Sequence, residues 1–154
     1  MRYEVMSRLE ARQATREPDA PDTAIISIID YGSDTNTFYE QAWLKDVITL
    51  QFDDTEAAGP QSITREQAAE IAGFVLRMHK HVERIIVHCE FGQSRSAGTA
   101  AAISEYLEGH DSGICRNRKY YPNPLCYRYV LDALRKRGKI PRWLLRICCG
   151  SKEM

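Results

Sequence analysis

The sequence predicts an α/β fold: a central, mainly parallel sheet of four to five strands flanked by helices. Two observations predict it. Several apolar, β-branched runs are continuous rather than alternating, which suits strands covered on both faces. These runs alternate with helical patterns that carry recognisable ends, and β–α alternation is the pattern of a parallel sheet with helical crossovers.

Arg2 to Met6 is a short strand candidate, followed by a helix candidate over Ser7 to Gln13. Ala24 to Asp30 (AIISIID), Val47 to Phe52 (VITLQF) and Arg84 to His88 (RIIVH) read as buried strands. Thr64 and Gln67 have the spacing of a capping box. They open a helix to about Lys80 that buries Ala68, Ile71, Phe74, Val75 and Met78. A second long helix starts near Arg95 and ends before Gly109, its alanines allowing close packing. The last has Asn123 as N-cap and Pro124 at its first position. It runs through Leu125, Tyr129, Val130 and Leu134 to Gly138, expected as the left-handed residue beyond the C-cap. A short helix is expected after Pro141.

The 154 residues are expected to form one domain, burying roughly two-thirds of the surface of the unfolded chain. Lys plus Arg (21) equals Asp plus Glu (21), so no global charge draws the chain to nucleic acid or anionic membranes. Any attraction for anions has to be local. No stretch is apolar enough to span a bilayer, and MRYEVMSRLEAR lacks the apolar run of a signal peptide, so a cytoplasmic location is expected. A monomer is expected as well. The five cysteines (89, 115, 126, 148 and 149) show no zinc-type pairing, and adjacent Cys148 and Cys149 are too close for ordinary disulfide geometry, so free thiols are expected. His79 and His81 stand at a helix end where cations are favoured and have no evident third ligand; neither metal nor cofactor is expected.

The chemistry lies in Arg84 to Gly98, R-I-I-V-H-C-E-F-G-Q-S-R-S-A-G. A strand ending at His88, a turn-prone run with Gly92 and a helix opening at Arg95 make the strand–loop–helix arrangement that binds anions through converging N–H groups. The same field favours thiolate at Cys89. A thiolate can attack phosphorus in line. Arg95 offers a planar fork for two phosphate oxygens, Gly92 allows the tight turn, and Ser96 can donate to the sulfur. The loop Glu90, Phe91, Gly92, Gln93, Ser94 and Arg95 is the expected phosphate-binding segment.

His88-Cys89, five residues, then Arg95-Ser96 resembles the signature loop of the cysteine-dependent protein tyrosine phosphatases, and Gly92-Gln93-Ser94-Arg95-Ser96 is nearest to compact dual-specificity enzymes and their small bacterial relatives. The resemblance covers about residues 24–134. It implies a tyrosine-phosphatase-like fold, a phosphoprotein or phosphopeptide substrate, and a general acid on an upstream loop. Phe52-Asp53-Asp54-Thr55 lies at the right distance; the pattern points to Asp54, with Asp53 the alternative that caps or orients the loop. Phe91 replaces a small residue and is expected to narrow or stiffen the loop's floor. Glu90 is expected to point away from the anion. The loop lacks the extra lysines of phosphoinositide-directed relatives, which disfavours inositol lipids.

Other readings stay open at this point. His88-Cys89-Glu90-Phe91 also resembles cell-cycle phosphatases of the rhodanese-like fold, although Arg95 is followed by Ser rather than Gly-Pro. An RNA 5′-phosphatase and a non-catalytic phosphobinding module are further alternatives. Arg116, Arg118 and Lys119 beside Tyr120 and Tyr121 either recognise acidic residues near a phosphosite or form a solvated loop. Tyr121-Pro122-Asn123-Pro124 is explained by the helix start, with bracing of the loop as a second reading. Cys115 and Cys126 are candidates to trap an oxidised Cys89.

Overall fold

The computed structural model describes residues 1–139. The helix expected after Pro141 and the Cys148–Cys149 pair lie outside the described residues. In chain order the elements are β1 (Arg2–Met6), α1 (Arg8–Ala14), β2 (Thr23–Ile29), β3 (Leu44–Gln51), α2 (Arg65–Met78), β4 (Arg84–His88) and α3 (Arg95–Glu108). A 3₁₀ turn at Ile114–Arg116 precedes α4 (Pro124–Gly138).

Among the described residues, four strands form one sheet in the order β1-β4-β2-β3, and every pairing is parallel. The register sets Met6 and Ser27 on either side of His88. Chain leaving β4 therefore emerges at the centre of the sheet's C-terminal edge, where ligands bind in open α/β sheets.

Pleating divides the core between two faces. Ala24, Ile26 and Ile28 of β2, with Ile85 and Val87 of β4, join the large cluster under α2, α3 and α4. Ile25 and Ile86 point the other way, onto Ala11 of α1 and a ring of Met6, Ala14, Phe38, Leu44 and Val47. This two-sided cover is why β2 and β4 are buried along their whole length. No described helix is long and apolar enough to cross a membrane.

Two capping boxes fix helix starts. Thr64 Oγ1 accepts from Gln67 N–H and Gln67 Oε1 accepts from Thr64 N–H, both at 3.0 Å. Ser7 and Glu10 make the same reciprocal pair at 3.1 Å each, so Ser7 caps α1 rather than opening it.

The sequence expectations need two corrections. β3 begins at Leu44 and is no buried strand: Lys45, Thr49 and Gln51 are exposed and Leu50 alone is fully buried, because β3 is an edge strand paired only with β2. Gly138 is not a left-handed residue beyond α4. It is the last helical residue, and right-handed Lys139 is the C-cap. A Cβ at Gly138 would run into the Tyr106 hydroxyl, so close packing of α4 on α3 accounts for that glycine.

Candidate active site

The loop from Cys89 to Ser94 is held from both sides by its own carbonyls. Arg8 N–H donates to Glu90 O at 3.2 Å, Tyr121 N–H to Gln93 O at 2.8 Å, and Asn123 N–H to Ser94 O at 3.0 Å. A trans peptide places its N–H opposite its C=O. Carbonyls bound outward at 90, 93 and 94 therefore turn the amides of Phe91, Ser94 and Arg95 inward. Gly92 lies against the β1–α1 junction with φ +68°; a Cβ there would stand 2.5 Å from Met6 C and Ser7 N, so only glycine fits. Gly98 has the same role under Asn123, whose backbone a Cβ would strike.

Cys89 sits at the foot of this cradle, 3% exposed, with Sγ 3.0 Å from Ser96 Oγ. Burial alone would push its thiol up. Hydrogen bonds from the Ser96 hydroxyl and the backbone N–H groups of Ser96, Gln93 and Gly92 outweigh burial and hold the thiol below its ordinary range. Ser94 is the N-cap of α3 but makes no side-chain bond to the helix. Its hydroxyl donates instead to Asp54 Oδ1 at 2.8 Å.

Arg95 is 4% exposed and pinned by the ends of two strands. Nη1 donates to Phe52 O at 2.7 Å, and Nη2 lies 2.7 Å from Asp30 Oδ1. Its Nε is buried and has no hydrogen-bond partner among the described residues. A buried donor left unmade costs free energy that an anionic ligand would recover.

The two candidate acids are separated by their contacts. Asp53 Oδ1 accepts from Tyr31 N–H at 2.9 Å, and Asp53 N–H donates to Gln61 O at 2.7 Å, so this residue shapes its own loop. Asp54 Oδ1 faces the signature loop, accepting from Ser94 Oγ and from Asn123 Nδ2, each at 2.8 Å. Glu90 turns away toward Arg8 Nη1, 3.6 Å distant. Phe91 is 77% exposed and does not form the loop's floor; with Leu9, Arg12 and Asn36 it lines a cavity of about 400 Å³ beside α1. Its position at the crest of a loop whose amides turn inward leaves the ring pointing to solvent. Gln93 is exposed, as are Arg116, Arg118 and Lys119 on the segment leading to Tyr121.

His88 is wholly buried. Nδ1 faces the Cys89 carbonyl at 3.2 Å and so carries the proton, while Nε2 accepts from Ser27 Oγ at 2.6 Å and faces Asn36 Nδ2 at 3.4 Å. Burial, with Arg8 and Arg95 adding to it, lowers its pKa from 6.5 to about 4 against the opposing pull of the Cys89 carbonyl. The unfolded chain therefore holds more proton between those two values. Stability should fall as pH drops from about 6.5 toward 4, by up to about 3 kcal/mol from this group, and no further below. An NMR titration of the ring checks this, and a midpoint near 6.5 would overturn it. Cys126 is buried beneath the site with its thiol pushed up to about 12, first by burial and then by Asp54; Cys115 is raised to about 11, first by burial and then by Asp111 and Glu105. Neither shares the activation of Cys89.

One contributor has no signal in the sequence, and a second is legible there only in part. Asp30 stands in the sequence only as the end of a strand, and nothing local links it to Arg95. Asn123 is legible as a helix cap, with bracing of the loop as the second reading; its N–H does hold Ser94 O, and its side-chain amide reaches Asp54 as well. Among the described residues, no group of three or more His, Cys, Asp or Glu could hold a metal ion.

No protein-family model matches the sequence, and neither does any curated protein. Solved structures do match in fold. Human DUSP28 is 10% identical with a TM-score of 0.58, over 88% of this chain and 93% of that one. Tk-PTP in its active form is 18% identical with a TM-score of 0.54, over 89% and 93%. PTPMT1 in complex with PI(5)P is 16% identical with a TM-score of 0.50, over 75% and 78%. With its parallel sheet and flanking helices, the chain has the fold of the cysteine-dependent tyrosine phosphatases, in its small dual-specificity form.

Proposed function

We propose that the protein is a phosphomonoester hydrolase acting on phosphorylated proteins or peptides, foremost on phosphotyrosine, through a phosphocysteine on Cys89. The observation that carries this reading is the cradle itself. A hydroxyl and three backbone amides converge on the Cys89 sulfur, and the buried Nε of Arg95 has no other partner. Cys89 thiolate attacks phosphorus as the ester oxygen departs with a proton from Asp54. The loop amides and Arg95 take the charge on the equatorial oxygens. Water then attacks the phosphocysteine, giving its proton to Asp54, and Ser96 donates to the departing sulfur.

Phosphotyrosine is favoured by exposed aromatic rings on segments tied to the site. Tyr31 follows Asp30, Phe91 crests the loop, and Tyr121 donates its N–H to Gln93. Such rings can stack on an aryl group. PTPMT1 was solved with PI(5)P, so the fold admits a lipid phosphate. Between Cys89 and Arg95, however, this loop carries Glu90 and no lysine. The fold is also not the one the rhodanese-like alternative requires.

The test is trapping. Mixing the protein with p-nitrophenyl phosphate and quenching in acid should release nitrophenol and leave phosphate on the Cys89 peptide by mass spectrometry. No release, or release with phosphate on another residue, would sink the proposal.

A further inference from the structure

Asn123 is 1% exposed and stands where the signature loop, the acid loop and α4 meet. Its Oδ1 accepts from the N–H groups of Leu125 at 2.9 Å and Cys126 at 3.0 Å, which caps α4. That task needs only an oxygen, and serine, threonine or aspartate would perform it as well. The other half of the side chain has a separate use. Nδ2 donates to Asp54 Oδ1 at 2.8 Å and to Thr55 O at 3.0 Å. Both amide hydrogens are thus spent on the acid loop. Four partners define the amide's orientation, because flipping it would set Oδ1 against two acceptors and leave two helix N–H groups unpaired.

Asp54 needs such a tether. It is exposed, and the chain after Thr55 stays exposed through Gln61. Its second restraint is the hydroxyl of Ser94, which belongs to the loop that must cradle phosphate. Asp54 Oδ2 has no hydrogen-bond partner among the described residues.

We propose that Asn123 is a positioning residue for Asp54. By occupying Oδ1 from a buried, helix-anchored site, it leaves Oδ2 as the oxygen that passes a proton to the leaving group and later takes one from water. This inference rests on the reading of Asp54 as general acid.

The experiment compares two aryl phosphates in wild type, Asn123→Asp, Asn123→Ser, Asp54→Asn and the Asp54→Asn/Asn123→Asp double variant. Aspartate and serine both keep a strong N-cap, so α4 stays anchored. A poor leaving group such as phenol needs the acid more than p-nitrophenol does. The expected result is a fall of about tenfold to hundredfold in kcat/KM for phenyl phosphate in both Asn123 variants. For p-nitrophenyl phosphate the loss should be several-fold smaller, with inhibition by inorganic phosphate unchanged. In the Asp54→Asn background, adding Asn123→Asp should cost nothing more. Unchanged turnover of phenyl phosphate in the Asn123 variants would overturn the inference. Equal losses on both substrates, or a further loss in the double variant, would overturn it too, because Asn123 would then act on the cradle rather than through Asp54. If Asp54→Asn itself leaves phenyl phosphate turnover intact, the acid assignment fails and the inference with it.

Discussion

Cys89→Ser should lower turnover of p-nitrophenyl phosphate by roughly 10⁴-fold or more, while the variant still binds inorganic phosphate. The reason is specific to this site. Three amides and the Ser96 hydroxyl hold the Cys89 thiol below its ordinary range despite burial. Those donors favour an anion that a thiol supplies readily near neutral pH and an alcohol does not. The amides turned inward by the outward-bound carbonyls of Glu90, Gln93 and Ser94 are untouched by the change, so the cradle persists. Steady-state kinetics and phosphate titration by calorimetry check the two halves separately. Activity within tenfold of wild type would remove Cys89 from the chemistry. Loss of phosphate binding along with activity would mean that the substitution damaged the loop.

Arg95→Lys has the second-largest expected effect, a fall in kcat/KM on the order of 10³ with phosphate binding weakened in parallel. Lysine keeps the charge, so the size of the loss measures geometry. The guanidinium spends Nη1 on Phe52 O and Nη2 on Asp30 while Nε remains a buried donor. A single ammonium cannot face the ends of two strands and a phosphate at once. The variant also leaves the half-exposed Asp30 and the Phe52 carbonyl without their partner, so a modest drop in Tm should accompany the kinetic loss. A small kinetic effect would mean that charge alone suffices and that the fork is structural.

How much of this is legible in the sequence varies by element. Helix starts were readable because a cap is a local device. Thr64 and Gln67, or Asn123 and Pro124, meet across three residues or fewer, and their spacing survives in the sequence. Apolar runs at 24–30 and 84–88 announced strands covered on both faces, which the helices and α1 supply. β3 misled because apolar composition does not say how many neighbours a strand has. Gly138 misled because a glycine needed for the approach of Tyr106 looks the same in sequence as one needed for a left-handed turn.

The candidate site divides in the same way. By itself the sequence determined the strand–loop–helix cradle, the cysteine at its foot, the arginine at its rim and the serine beside the sulfur, since all of these lie within thirteen consecutive positions whose spacing is set by backbone geometry. Tertiary structure alone decided which aspartate faces the loop, that Asp30 and Phe52 hold the arginine, and that the Asn123 amide reaches Asp54. Those contacts join segments 43 to 69 residues apart, or set apart two adjacent carboxylates with identical chemistry. Only the sheet order β1-β4-β2-β3, which brings the ends of β2, β3 and β4 to one edge, could place them.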